Sequence, residues 1–353
     1  MRALYLCRRM GAGQWDPGNL EECRNLITRL REAGERRLSG EIQISFSYIL
    51  FDFSKYREAY RSAEEGFATL LEGYEENPYL SWSFQLYEHL VSSCLLFLGE
   101  WGQALRKIEQ RIEMVEKNGD RLGAVIAGLE RPRLQIDAMD FTGARQIYES
   151  GLPVVAAIPY LRRDCLIWTG WAEAGLGNHE RALEYLLKCW DEMDQHPLMF
   201  DWYNRMPLQR ALTEAWLSKG DLAQARVESE QFLKVTLETE ERTFRALAFE
   251  VNARVAIAEQ DLDRAQDCLA KALQSMEGFE VPLAHWRVHA TAAELHRRLG
   301  SRDLADDHRE LSRATIMKLA NSLPVEEPLC RTFLSAPAIR KVIGDKEART
   351  QTV

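Results

Sequence analysis

The sequence has no apolar run approaching the eighteen to twenty residues that a membrane-spanning helix needs. It has no dense basic block either. Lys and Arg number 45 against 54 Asp and Glu, and the formal net charge of -9 leaves a nucleic-acid or anionic-membrane surface without its electrostatic footprint. The 7 cysteines, at 7, 23, 94, 165, 189, 268 and 330, are odd in number and contain no Cys-x-x-Cys spacing, which argues against a disulfide framework and a zinc knuckle. They are expected as small, mostly buried thiols in a reducing compartment. The opening MRALYLCRRM is too short for the apolar core of a signal peptide and has no small-residue cleavage site after it. A cytoplasmic location is the expectation.

Catalytic signatures are missing as well. GAGQWDPG lacks the glycine-lysine-Ser/Thr ending of a phosphate loop, and neither a Gly-x-Ser-x-Gly elbow nor a His-Glu-x-x-His helix occurs. His285 and His289 are four apart and share a helical face, as zinc ligands would, but His296 is displaced by roughly 10 Å along the axis and no third ligand is evident. The carboxylate runs Glu64–Glu65 and ETEE (238–241) read as solvated faces. No enzyme activity, cofactor or metal is expected.

What the sequence does contain is a recurrent phrase. A small residue recurs at Ala59, Ala104, Ala144, Ala182, Ala225, Ala265 and Ala305, at intervals of 45, 40, 38, 43, 40 and 40. A fixed period between twenty and fifty residues marks a solenoid. Each unit reads as a helix, a break at Gly/Asn/Asp/Ser, then a second helix carrying the Ala. Where two helices cross closely the contact residue must be small, and Ala is small without the roughly 1 kcal/mol helix penalty of Gly. Gly99, Gly177, Gly220 and Gly300 suit a left-handed helix terminus, and Asn178, Asp221 and Asp261 suit the next N-cap. Tyr56, Trp101, Phe141, Leu222 and Leu262 would staple each hairpin; His179 and Arg302 depart from that pattern.

The phrase Gly-Asp/Asn-aromatic-x-x-Ala, with Gly170 seven residues before Gly177, resembles the tetratricopeptide repeat. The longer period, and the stretch Asp201–Ile339, are similar to the helical C-terminal regions of large bacterial signalling ATPases and cyclases and of regulators related to the maltose regulon activator. The resemblance implies an all-α, right-handed superhelical solenoid of about seven antiparallel helix hairpins. Residues 1–36 would form an N-terminal capping segment, 37–320 the repeat array, and 321–353 a C-terminal cap and frayed tail.

In that repeat frame the first helices line a concave face. The inward pairs are Ile44/Tyr48, His89/Ser93, Leu129/Arg133, Ile167/Trp171, Arg210/Glu214, Glu250/Arg254 and Ala290/Glu294. Arg133, Trp171, Arg210, Glu214, Glu250 and Arg254, in the middle units, are the candidate partner-binding residues, with Trp202 and Tyr203 as aromatics that could converge on Trp171. For the charged pairs the reading that competes with binding is mutual neutralisation along a solvated face; for Trp171 it is core packing against the neighbouring unit, which is favoured slightly over ligand stacking. Pro132, in LERPRLQ, either starts a helix near 131 or bends the groove. The segment 197–207 reads as a loop and helix start.

The expected function is that of a non-catalytic scaffold or regulatory module holding a peptide or protein segment on its concave face. The resemblance points to an ATPase, cyclase, kinase or DNA-binding domain of a signalling assembly as partner. The alternative is a small-molecule sensor region, for a sugar for example, of a bacterial signalling ATPase or transcriptional regulator. Direct nucleic-acid and membrane contact are not expected.

Overall fold

A computed structural model describes residues 18–72 and 82–344. Among them every regular element is a helix. After α1 (Gly18–Glu32), seven hairpins follow. They pair α2 (Arg36–Asp52) with α3 (Tyr56–Glu72), α4 (Trp82–Phe97) with α5 (Trp101–Lys117), and α6 (Arg121–Gly128) plus α7 (Arg131–Asp137) with α8 (Phe141–Val155). Next come α9 (Pro159–Gly175) with α10 (His179–Gln195), α11 (Asp201–Lys219) with α12 (Leu222–Leu237), and α13 (Arg242–Ala258) with α14 (Leu262–Met276). The seventh is α15 (Pro282–Arg298) with α16 (Arg302–Asn321), before α17 (Pro328–Ser335) and α18 (Pro337–Ile343). The expected fraying of the last residues falls outside the described ones.

The repeat is written into the backbone. Five residues before each recurring Ala, the chain turns through a positive φ: Ser54 (57°), Gly99 (74°), Met139 (63°), Gly177 (83°), Gly220 (85°), Gln260 (64°) and Gly300 (78°). That residue ends the first helix in the left-handed conformation, which lets the chain reverse. Three units therefore adopt, with ordinary side chains, a geometry that favours glycine. The seven alanines are buried where the two helices of each hairpin cross. Asp140, Asp221 and Asp261 accept hydrogen bonds from the backbone N–H groups of Gly143, Gln224 and Arg264, and so satisfy orphan donors of the second helix. Asn178 occupies the N-cap position but does not cap; its Nδ2 donates to Glu173 Oε2 at 2.6 Å.

Pro132 starts a helix. The first arm of the third unit breaks after Gly128 and restarts as α7 with Pro132 in its first turn, where a missing N–H costs nothing. Pro207, expected near a loop boundary, lies inside α11, whose only loop is 196–200. Arg163 ties that loop down: it donates to Asp201 at 2.7 Å and to the carbonyls of Glu192 and His196 at 2.7 and 2.5 Å.

Beyond hairpin stacking, the array closes on itself. Tyr56 and Trp101, expected to staple their own hairpins, instead reach partners about two hundred residues away. Tyr56 Oη bonds to Glu241 and to Thr243 Oγ1 (2.6 Å), while Ser54 Oγ donates to Glu241 (3.0 Å) and accepts from the N–H of Arg242 (2.6 Å). Arg57 pairs with Glu280 at 2.7 Å. Trp101 packs edge-on against Phe333, ring centres 5.0 Å apart, and the N–H groups of Trp101 and Gly102 donate to Ser322. A Cβ on Gly102 would fall 2.2 Å from the Ser322 carbonyl oxygen, so this approach is open to glycine alone. One apolar core joins α1–α5 and α7 to α11–α18, with two smaller cores under α6–α11.

Candidate functional site

The closure decides what the inner face looks like. The first helices α7, α9, α11 and α13 carry the six candidate residues on neighbouring surfaces, and the structure brings them into one connected wall. Arg133 donates through one nitrogen to both Asp164 oxygens (2.8 and 3.1 Å) and lies 5.4 Å from the centre of the Trp168 ring. Trp168 stacks on Trp171 nearly parallel at 5.3 Å and donates its indole N–H to Asp164. Arg210 covers the Trp171 ring at 4.7 Å. Glu214, one turn on, accepts from Arg254 at 2.5 Å; Arg254 also reaches Glu250 at 2.9 Å, and Glu250 accepts from Thr291 at 2.6 Å.

The charged pairs do neutralise, but by bridging between helices as well as along them, and not on a solvated face. Arg210 keeps 5%, Trp171 8% and Glu250 3% of their surface exposed. The physical reason is closure: α4 and the C-terminal hairpins cover the face that an open solenoid would leave to solvent. Between the layers remains a small, partly open cavity of about 40 Å³. Arg133, Trp168, Trp171, Tyr203, Arg210 and Phe244 are among the residues that line it. The convergence of Tyr203 with Trp171 is therefore realised; Trp202 packs against Tyr203 and is not part of this lining.

Charges on this wall are unequally served. Burial opposes ionisation of Arg133, but Asp164 outweighs it and holds the guanidinium above its ordinary range. Arg254 is raised likewise, by Glu214 and Glu250 against burial. Glu214 is burdened by burial yet lowered overall by Arg254 and Arg210. Arg210 goes the other way: burial, then the neighbouring Arg287, bring it down to about 10.

Trp168, Asp164 and Phe244 were not singled out from the sequence. The spacing of Asp164, Trp168 and Trp171 by four and three residues does place them on one helical stripe, a signal that was present. Phe244 comes from a unit two hairpins away, and no local pattern announces it. The histidines also gain a member. His289 Nδ1 lies 2.8 Å from Nδ1 of His308 on the facing helix, with His285 beside it; among the described residues no three His, Cys, Asp or Glu are arranged to hold a metal ion. No helix of these residues is long and apolar enough to cross a membrane.

No protein-family model matches the chain, and no curated protein matches it in sequence. Solved structures do. A Rap protein complexed with Competence and Sporulation Factor superposes with a TM-score of 0.64 at 14% identity, over 86% of this chain and 81% of that one. The anaphase-promoting-complex hetero-tetramer Cut9-Hcn1 gives 0.59 at 14% identity, over 93% of this chain, which spans only 58% of that one. Together with the seven hairpins, these likenesses show the chain to have an all-α fold of tetratricopeptide-like repeats.

Proposed function

We propose that this protein is a non-catalytic recognition module that binds a segment of a protein partner along its inner face, through Arg133, Trp171, Arg210, Glu214, Glu250 and Arg254. One observation carries the reading: stacked tryptophans and two arginines form a single wall around a cavity. Trp, Tyr and Arg in a desolvated centre are the side chains that supply most binding energy in protein recognition. Because the wall is covered at its centre, an extended or helical segment would reach it by opening the closing contacts or by sending one anchor into the cavity, with apolar anchors setting affinity and charges setting register. Two fold relatives support it by what their structures contain, a Rap protein with its factor and the Cut9-Hcn1 assembly. A segment of a signalling ATPase, cyclase, kinase or DNA-binding domain is the partner that the sequence resemblance suggests.

Enclosure favours the alternative, a sensor for a small molecule. Volume limits it: at about 10–15 Å³ per water, a cavity of about 40 Å³ has room for a few waters, and a sugar ring enters only if the array opens.

A peptide array probed with the intact protein tests the proposal. Peptides that bind the parent should lose Trp171→Ala and partly regain Trp171→Phe. A hairpin variant, Ala265→Phe, controls for lost stability without touching the wall. Equal binding by parent and Trp171→Ala, or equal loss in both variants, would remove the inner face as the site.

A further inference from the structure

Arg210 is 95% buried and yet poorly answered. Its Nε has no hydrogen-bond partner, and the nearest carboxylate oxygen, Glu214 Oε1, is 3.7 Å away and already held by Arg254 at 2.5 Å. Arg133 and Arg163 leave their Nε unpaired too, but the terminal nitrogens of these and other buried guanidiniums are better served. Arg163 has Asp201 at 2.7 Å and two carbonyls, Arg133 has both oxygens of Asp164, and Arg287 has Asp137 at 3.2 Å and the Leu283 carbonyl at 2.8 Å. Arg210 has the face of Trp171, which holds the guanidinium plane without neutralising it.

Glu214, Asp137 and Glu250 offset the charge only from beyond hydrogen-bond distance, and a buried charge without close, hydrogen-bonded partners is costly to keep. The group lies in the cavity wall, between an aromatic stack and the apolar side chains Leu247 and Leu283; the one carboxylate of that lining, Asp137, is held by Arg287 at 3.2 Å. Building on the recognition reading above, we propose that this cavity is an anion subsite in which Arg210 receives the carboxylate of a ligand, while the surrounding apolar wall takes the carbon adjoining it. Shape and charge agree. A guanidinium presents parallel donors that match a carboxylate's two oxygens, which a neutral ligand or water cannot answer with charge. The three heavy atoms of a carboxylate also occupy about the space of the few waters the cavity admits. The ligand is therefore a peptide ending in a free carboxylate or bearing an acidic side chain, or a small apolar carboxylic acid; the chemistry is shared.

Thermal melting of the full chain at constant ionic strength, with acetate against acetamide and phenylacetate against phenylacetamide, tests it directly. The acids should raise the melting temperature saturably, as ligands of the native state do, and the amides should bind about tenfold more weakly or worse. Arg210→Met should melt no lower than the parent when ligand-free, because it removes a buried charge that lacks a close partner, and should lose the response to acids; Arg210→Lys should weaken it by about tenfold, lacking the planar fork. Amides that match acids on the parent overturn the proposal, as does Arg210→Met that melts lower and still responds. If Arg210→Met fails to fold, the acid–amide comparison on the parent decides alone. Peptides offered with free and amidated C-termini separate the sources: sensitivity to amidation marks a terminal carboxylate, sensitivity to Asp/Glu replacement a side chain. Peptides that need Trp171 but ignore both changes would sink the anion subsite and leave the recognition reading standing; acids that bind where no peptide does would do the opposite.

Discussion

A recurring alanine and the residue five before it do different work in each hairpin, and both can be tested one side chain at a time. Ala265 is fully buried at a helix crossing, so Ala265→Phe should overpack the α13–α14 pair and cost about 1–3 kcal/mol, read as a lower denaturation midpoint with an unchanged slope. The left-handed positions predict a change of the opposite sign. Gln260 sits at φ 64°, where an L side chain costs about 1–2 kcal/mol. Set against the extra chain entropy of glycine, roughly 0.5–1 kcal/mol, Gln260→Gly should stabilise by about half to one kcal/mol. A destabilised Gln260→Gly would mean that the side chain makes a contact worth more than the strain. Charge reversal at Arg210 or Arg254 is not a surface change, because both lie in one connected ion network in which Arg210 and Glu250 are buried and Arg254 and Glu214 half-buried.

At the scale of elements, α15 and α16 are joined by histidines that face one another. Burial, then His285 and His308, hold His289 down at about 3, and burial lowers His285 and His308 as well. Lys318 adds to the lowering of His285 and His296 to that of His308, with Asp307 opposing the latter. These imidazoles are thus neutral in the folded chain and become charged in the unfolded chain near pH 6.5. Below that pH their unfolded forms bind more protons, so the stability these histidines contribute should be fully present above about pH 6.5 and fall as pH drops toward 4.5. Urea midpoints between pH 7 and 5 measure this, and His289→Gln should flatten the slope. Glu130, held at about 2 by Arg111 against burial, contributes only at lower pH, whereas Glu88, which burial raises to about 7, gains stability as pH falls through the same window, so the difference between parent and His289→Gln isolates the histidines.

The whole molecule departs from the simple behaviour of a solenoid, in which each repeat touches only its neighbours and unfolding can proceed piecemeal. Here the second hairpin docks on the end of the seventh through Trp101, Gly102 and Ser322, and the first meets the sixth through Tyr56 and Glu241. Closure couples distant units, which predicts a single cooperative transition by helix signal and by tryptophan fluorescence. Gly102→Leu should break that coincidence, since any side chain there displaces the Ser322 carbonyl. The two probes should then separate, and the radius of gyration by solution scattering should rise. Coincident transitions in the variant would show that the closing contacts add nothing to cooperativity.

The period of about forty, the alanine at each crossing and the break before it were enough to place seven hairpins, because these are local consequences of helix geometry and turn chemistry. The charge pairs Arg210/Glu214 and Glu250/Arg254 were legible for the same reason, one turn apart on one helix. Their burial was not. Whether an inner face is an open groove or a covered wall depends on how small rotations between successive hairpins add up, and no short stretch of sequence encodes that sum. Only the folded chain brings Phe244 opposite Trp171, sets Trp101 against Phe333, and seals Arg210 in a cavity where its charge lacks a close partner. Local pattern determined the units; the accumulated superhelix decided which surfaces they present, since closing contacts join residues too far apart in the chain for any periodicity to relate them.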